Sequence, residues 1–353
     1  MGLRTELFAA HQAAKAKIVD FAGFDMPLHY GSQIEEHHVV RQSAGMFDVS
    51  HMLVSDLNGA KTTEFLQYLL ANDVAKLKPG KALYSCMLNE AGGVIDDLIV
   101  YKISDDRYRL VTNAGTRAKD LAWLHQHATA FAVTVSPKAD LAILAVQGPK
   151  ARELAATVLP DELAKAALAL KPFWMTESGQ WMVARTGYTG EDGFEIMLPN
   201  NQALEFWNQL LQAGVKPCGL GSRDTLRLEA GMNLYGQDMD ESINPIESGL
   251  SWTVAMQNAR NFIGRSALEK LKPSYKMVGL VLEERGVLRS HQKVIVPGIG
   301  EGEITSGTYS LTLGVGIALA RVPIDTAEHC QIDMRGKLLN ARVISPPFVK
   351  REK

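Results

Sequence analysis

The chain is poor in what marks a secreted, membrane-bound or disulfide-built protein. Only three of its 353 residues are cysteine, and Cys86, Cys218 and Cys330 are too scattered for a disulfide framework or a Cys-based metal box. A reducing compartment is therefore expected. No apolar run approaches the roughly 20 residues that a bilayer span requires; residues 141–146 are among the longest. The opening MGLRTELFAAHQAAKAKIVDF carries Glu6 and Asp20 and has no continuous apolar stretch, so no secretory signal or transit peptide is expected. Position 6 is Glu where a myristoylation signal wants Ser or Thr. An excess of charge of either sign is also missing. With 37 Lys and Arg against 39 Asp and Glu, the formal net charge is −2, which argues against nucleic-acid and membrane-surface partners. These absences point to a soluble, cytoplasmic protein.

Nucleotide-loop and metal motifs are lacking too. No G-x-x-x-x-G-K-[ST] occurs, Glu35-Glu-His-His38 has no H-E-x-x-H spacing, and Gly298-Ile-Gly-Glu-Gly302 lacks the dinucleotide period. No metal is expected. Low-complexity tracts and internal repeats are absent as well.

What is present is globular: 46% hydrophobic and 22% charged residues, at a length that calls for two or three packed units. Residues 63–76 place Phe65, Leu66, Leu69, Leu70 and Val74 on one helical stripe. Residues 82–88 and 94–102 are β-type runs around the Gly-containing turn 89–93, which predicts a hairpin. Strands are predicted at 107–112, 141–147, 180–185 and 193–198, and helices at 116–127, 150–170, 202–213 and 222–230, the last ended by Gly231. From about residue 273 the texture changes to short β-rich runs (277–283, 292–296, 315–319, 330–334) with Gly, Ser and Pro turns. That is a small β-barrel or β-sandwich. The fold class is α+β, with residues 1–270 followed by an all-β C-terminal domain, 271–353.

Three stretches are chemically informative. In Gly92-Gly-Val-Ile-Asp-Asp-Leu-Ile-Val-Tyr101, two acids interrupt an apolar strand, which is costly for a buried carboxylate without a partner or a function. Alternation puts Asp96 on one face with Val94, Leu98 and Val100, and Asp97 on the other with Ile95, Ile99 and Tyr101. Either Asp97 faces a ligand pocket or both acids satisfy turn amides. In Arg185-Thr-Gly-Tyr-Thr-Gly-Glu-Asp-Gly-Phe-Glu195, Phe194, Ile196 and Leu198 share a face that Glu195 does not. Glu195 is either an exposed strand residue or a carboxylate able to accept two parallel N–H bonds from an amidine-like ring edge. In Gly219-Leu-Gly-Ser-Arg-Asp-Thr-Leu-Arg-Leu-Glu-Ala-Gly231, Ser222 is a candidate N-cap. Arg223 near a helix start opposes the helix dipole, so it serves either a ligand or a salt bridge to Asp224 or Glu229.

Taken in order, Ile18–Tyr30 (IVDFAGFDMPLHY), Ala44–Met52 (AGMFDVSHM), Gly92–Leu98, Arg185–Gly193, Gly219–Glu229 and Leu234–Asp240 (LYGQDMD) resemble the signature blocks of glycine cleavage T-proteins. Thr305–Ser310 and Ile317–Val322 extend the resemblance, so that it covers about 18–348. It implies a three-domain cloverleaf around a central folate channel, with a small C-terminal β-barrel. It also implies an aminomethyltransferase that uses tetrahydrofolate as one-carbon acceptor, without a metal. The lipoylated H-protein and the other glycine cleavage components are the implied partners. Carried over residue by residue, Asp97 becomes the catalytic acid beside the reacting folate nitrogens, Glu195 the pterin-binding carboxylate and Arg223 the folate-site arginine. Tyr84, Tyr101, Tyr188, Met52 and Asn113 become pocket lining. The chain departs from the family pattern at Phe24, where tryptophan is common, at Cys86, where the residue is often smaller, and at Leu311, where proline is usual. The connection 289–300 is also short.

Related families fit less well. Folate-binding accessory proteins of iron–sulfur assembly or tRNA modification carry a K-G-C-Y-x-G-Q-E block, whereas this chain has Leu234 before the tyrosine and no cysteine there. Sarcosine- and dimethylglycine-oxidising enzymes add a flavin domain with an N-terminal G-x-G-x-x-G, absent here. A non-catalytic folate binder is expected to lose the acid at position 97, which this chain keeps.

Overall fold

A computed structural model describes residues 2–257 and 259–350. The chain forms two compact units: one from residues 1–65, 74–84 and 98–224, the other from 66–73, 85–97 and 225–353. Helices and sheets are mixed in the first, and the second ends in a closed barrel. The fold is α+β, as expected. Among the described residues, no helix is long and apolar enough to cross a membrane.

The first unit is built on a six-stranded sheet in the order Met175–Ser178, Trp181–Ala184, Gly193–Pro199, Leu141–Gln147, Gly45–Asp48, Lys216–Pro217. Its central strands Gly193–Pro199 and Leu141–Gln147 are buried along their whole length. Leu141–Gln147 accordingly reads as an almost continuous apolar run, whereas Gly193–Pro199 carries one buried acid, Glu195, on the face opposite Phe194, Ile196 and Leu198. Leu144, Phe194, Ile196 and Val183 pack with Phe206, Trp207 and Leu210 of the helix Asn200–Gln212, whose apolar residues fall on one stripe. The predicted helix at 150–170 is two helices, Ala151–Ala156 and Asp161–Leu168. Pro160, with no backbone N–H to donate, restarts the chain as the residue before the second. The 63–76 stripe is likewise divided into Thr62–Leu69 and a short 3₁₀ turn, Val74–Lys76.

The strands Ala82–Leu88, Val94–Lys102, Arg107–Thr112, Leu53–Asn58 and Thr134–Pro137 form a five-stranded sheet in that order. Residues 85–97, the tip of its first hairpin, belong to the second unit. There, Asn89 closes the turn by accepting from Gly93 N–H (2.9 Å) through its side chain and from Gly92 N–H (3.0 Å) through its carbonyl. Val94 N–H donates to Asp240 and Ile243, and Tyr235 O–H donates to the Val94 carbonyl. A methyl group on Gly93 would collide with the Glu241 carbonyl. Close backbone approach therefore requires the second glycine of this block, and the blocks around 92–98 and 234–240 meet in space.

The barrel closes six strands in the order Tyr275–Leu282, Val315–Pro323, Gly300–Ser310, Lys293–Val296, His329–Met334, Lys337–Ile344. Closure leaves no free sheet edge. Its longest strand, Gly300–Ser310, was not foreseen, because GEGEITSGTYS lacks the apolar alternation of a strand. Pairing on both sides, to Lys293–Val296 and Val315–Pro323, holds it instead.

Candidate functional site

Seven of the eight singled-out residues lie in the first unit, all but Asp97. Glu195 lies on the strand Gly193–Pro199 and is only 9% exposed, so it is not an outward-facing strand glutamate. Its Oε2 accepts a 2.6 Å hydrogen bond from the Thr186 hydroxyl, whose oxygen lies 3.3 Å from the Tyr101 phenol. Burial, and then the nearby Glu195 charge, push the Tyr101 pKa up, so its phenol stays protonated. Arg223 stacks its guanidinium over the rings of Tyr188 (5.0 Å) and Phe47 (5.7 Å). Desolvation lowers its pKa, while Glu195 and Tyr188 oppose that shift.

Arg223 makes no ion pair among the described residues, and its Nη1 is buried without a hydrogen-bond partner. Glu229, one sequence-level alternative, spends its carboxylate on Ser310 and Thr312. Ser222 is not the N-cap, because the helix Leu220–Glu229 begins two residues earlier. Its hydroxyl instead donates to the Gly219 carbonyl and lies 3.4 Å from Glu36 Oε2. Arg223 is half-buried, its charge is supported through space by Glu195, and leaving a covered guanidinium nitrogen unbonded is costly.

Met52 and Asn113 are half-buried and belong to the same unit. Arg117 donates to the carbonyls of His51 (3.1 Å) and Met52 (3.4 Å), and Thr116 donates to the Asn113 carbonyl. His51 was not foreseen. It is buried against Phe21 and Phe24. Desolvation first, and then the Arg223 and Arg117 charges, lower its pKa to about 4 against the opposing pull of Asp48, so it is neutral at pH 7. Asp48 itself is locked by His11 (2.9 Å), Thr5 (2.6 Å) and the Ser50 amide (2.9 Å). Those bonds outweigh its desolvation and hold its carboxyl below the ordinary range.

Tyr84 is half-buried on the strand Ala82–Leu88. Asp97 belongs to the second unit. On its strand, Asp96, Leu98 and Val100 are covered and Asp97 and Ile99 partly exposed, but Ile95 and Tyr101, assigned by alternation to the Asp97 face, are buried as well. Cys86 is buried, and its thiol is pushed up to about 12 by desolvation, against the Thr253 hydrogen bond, with Asp97 and Asp96 adding to the rise. It is no nucleophile.

Sequence reasoning also missed Gln147. Its amide lies under the 186–189 loop, donating to the Thr186 carbonyl (3.1 Å) and accepting from the Thr189 hydroxyl (2.9 Å). The available signal was a polar residue closing the otherwise apolar strand Leu141–Gln147.

Comparison with known proteins gives a consistent result along the chain. The family model for the GCVT N-terminal domain matches residues 7–258, and the model for the glycine cleavage T-protein C-terminal barrel domain matches 276–350. The aminomethyltransferase of Alcanivorax borkumensis is 58% identical over 352 residues, covering 99% of this chain and 98% of that protein. That of Pseudomonas syringae pv. tomato is 56% identical over 358 residues, covering 100% and 99%. Among solved structures, the glycine cleavage system aminomethyltransferase T from Bartonella henselae superposes with a TM-score of 0.93 at 36% identity, covering 99% of each chain.

Proposed function

The chain belongs to the glycine cleavage T-protein family of aminomethyltransferases, and from that premise we propose its substrates and the roles of its residues. The donor is the S-aminomethyldihydrolipoyl arm of the H-protein and the acceptor is tetrahydrofolate. The products are 5,10-methylenetetrahydrofolate, ammonia and dihydrolipoyl H-protein. The other glycine cleavage components are its working partners, and the cytoplasm is its compartment. Residues 1–270 are the folate-binding region and 271–353 an appended barrel, a division supported by the family-model limits of 258 and 276.

The observation that carries the reading is the buried Glu195 carboxylate with the Arg223 guanidinium near enough to feel its charge and with Nη1 left unbonded. A reduced pterin offers an aminopyrimidinone edge, whose two parallel N–H groups suit a carboxylate, and a carbonyl acceptor that suits a guanidinium. Tyr101 and Tyr188 supply flat apolar surface, with Tyr84, Met52 and Asn113 as further lining. Asp97 is the catalytic group. Its carboxylate orients the folate amine and stabilises the positive, iminium-like carbon as ammonia departs. Folate supplies the nucleophilic nitrogens.

The test is ammonia release from pure protein, tetrahydrofolate and aminomethyl-loaded H-protein. Asp97→Asn should lower turnover by roughly 10²–10⁴ while folate binding persists, as for loss of a general acid–base or electrostatic group. Full rate in the variant would dismiss Asp97 as the catalytic group, and no release by the wild type would dismiss the substrates.

A further inference from the structure

We propose that Thr186 is the positioning residue of the pterin-binding carboxylate: its hydroxyl fixes the plane in which the two oxygens of Glu195 meet the ligand, and Gln147 holds Thr186 in place. The inference rests on the reading of Glu195 given above and adds a source of substrate specificity to it.

A threonine hydroxyl has one proton to give, and an ionised carboxylate can only accept. Thr186 Oγ1 lies 2.6 Å from Glu195 Oε2 and 3.3 Å from Tyr101 Oη. The shorter contact is in the range of a charge-assisted O–H···O⁻ bond, so the Thr186 proton belongs to Glu195. Tyr101 must then be the donor to Thr186. The relay runs one way, from Tyr101 through Thr186 to Glu195. Oε2 thereby spends one lone pair on the protein and keeps one for a ligand, whereas Oε1 accepts no hydrogen bond from any described residue. A carboxylate pinned through one oxygen cannot spin to suit a ligand with a single donor. It presents a fixed plane that only two coplanar N–H groups match.

The relay is held from below. Gln147 is fully buried, and its Nε2 donates to the carbonyls of Thr186 (3.1 Å) and Phe194 (3.4 Å) while its Oε1 accepts from Thr189 (2.9 Å). One amide thus grips both ends of the 186–189 loop and the strand residue beside Glu195. A Cβ on Gly187 would fall on that amide, which is why the loop passes over it with glycine.

The test uses two substrates, tetrahydrofolate and its 2-desamino analogue, which lacks one donor of the ring edge. Thr186→Val keeps the shape and removes the hydroxyl. It should raise the KM for tetrahydrofolate by about 10-fold, the size expected for one charge-assisted hydrogen bond. The kcat should stay within about two-fold, since positioning is expressed in ground and transition state alike, and the KM for the analogue should not change. Thr186→Ser should restore the wild-type preference. An equal loss for both substrates, an unchanged KM for tetrahydrofolate, or a serine variant that behaves like valine would overturn the proposal. Glu195→Gln is the control for the underlying reading. If it keeps the wild-type preference for the 2-amino substrate, Glu195 is not the pterin carboxylate; if it loses the preference while Thr186→Val keeps it, only the role of Thr186 falls.

Discussion

Two arginines one turn apart on the helix Leu220–Glu229 are treated in opposite ways. Arg227 donates to Asp238 (3.0 Å), Ser306 (2.9 Å) and the Met232 carbonyl (3.1 Å). Asp238 in turn accepts from Thr305, Ser306 and the Leu234 amide. That network joins the 234–240 block to the barrel strand Gly300–Ser310. Arg223 lies over two aromatic faces and leaves Nη1 without a partner. Arg227 is fully buried and fully bonded; Arg223 is half-buried, with a covered nitrogen left unbonded. A fully bonded buried charge contributes to specifying one structure, whereas one left unbonded costs stability that a ligand can return.

The largest effect should come from breaking the satisfied side. Arg227→Ala strands Asp238 and should cost about 3–5 kcal/mol, the usual penalty for removing one partner of a buried pair. Arg223→Ala should change stability by less than about 1 kcal/mol, because no bonded partner is abandoned. Denaturant titration of both variants decides, and similar losses would erase the distinction.

A smaller effect should follow from acid. His51 in the folded protein has a pKa of about 4, below its ordinary 6.5, so the unfolded chain binds more protons between those values. Its stabilising contribution is therefore intact above pH 6.5 and declines as pH falls toward 4, by a total of roughly 3 kcal/mol. Asp48, with its lowered pKa, adds a loss of the same sign at lower pH. Denaturant midpoints at pH 7, 5.5 and 4.5 should converge for wild type and His51→Gln. A gap that stays constant would remove His51 as the cause.

The smallest effect bears on the ligand side. Glu195→Ala should weaken tetrahydrofolate binding by about 1–3 kcal/mol, the cost of leaving polar ligand groups without partners, with little change in melting temperature. Calorimetry showing wild-type affinity would separate Glu195 from the folate site.

The strands at 82–88, 94–102, 107–112 and 193–198 were legible because turn glycines and apolar runs are local signals. The barrel was legible as a change of texture, but its longest strand was not, since pairing on both flanks replaced the apolar alternation that marks a strand. The candidate residues were legible only in part. Glu195 could be singled out from its block, yet whether it was buried was open, and Arg223 stood out only by opposing its helix dipole.

The sequence alone determined most of the strands and helices with a local apolar pattern, where glycine must bend the chain, and which family the blocks resemble, because each depends on residues near one another in the chain. Tertiary structure alone decided that Glu195 is covered, that Thr186 bonds it while meeting a tyrosine 85 positions away, and that Arg223 leaves Nη1 unbonded where Arg227 is held in an ion pair. Burial and hydrogen-bond partnership are properties of distant segments brought together, and no local pattern of residue types encodes them.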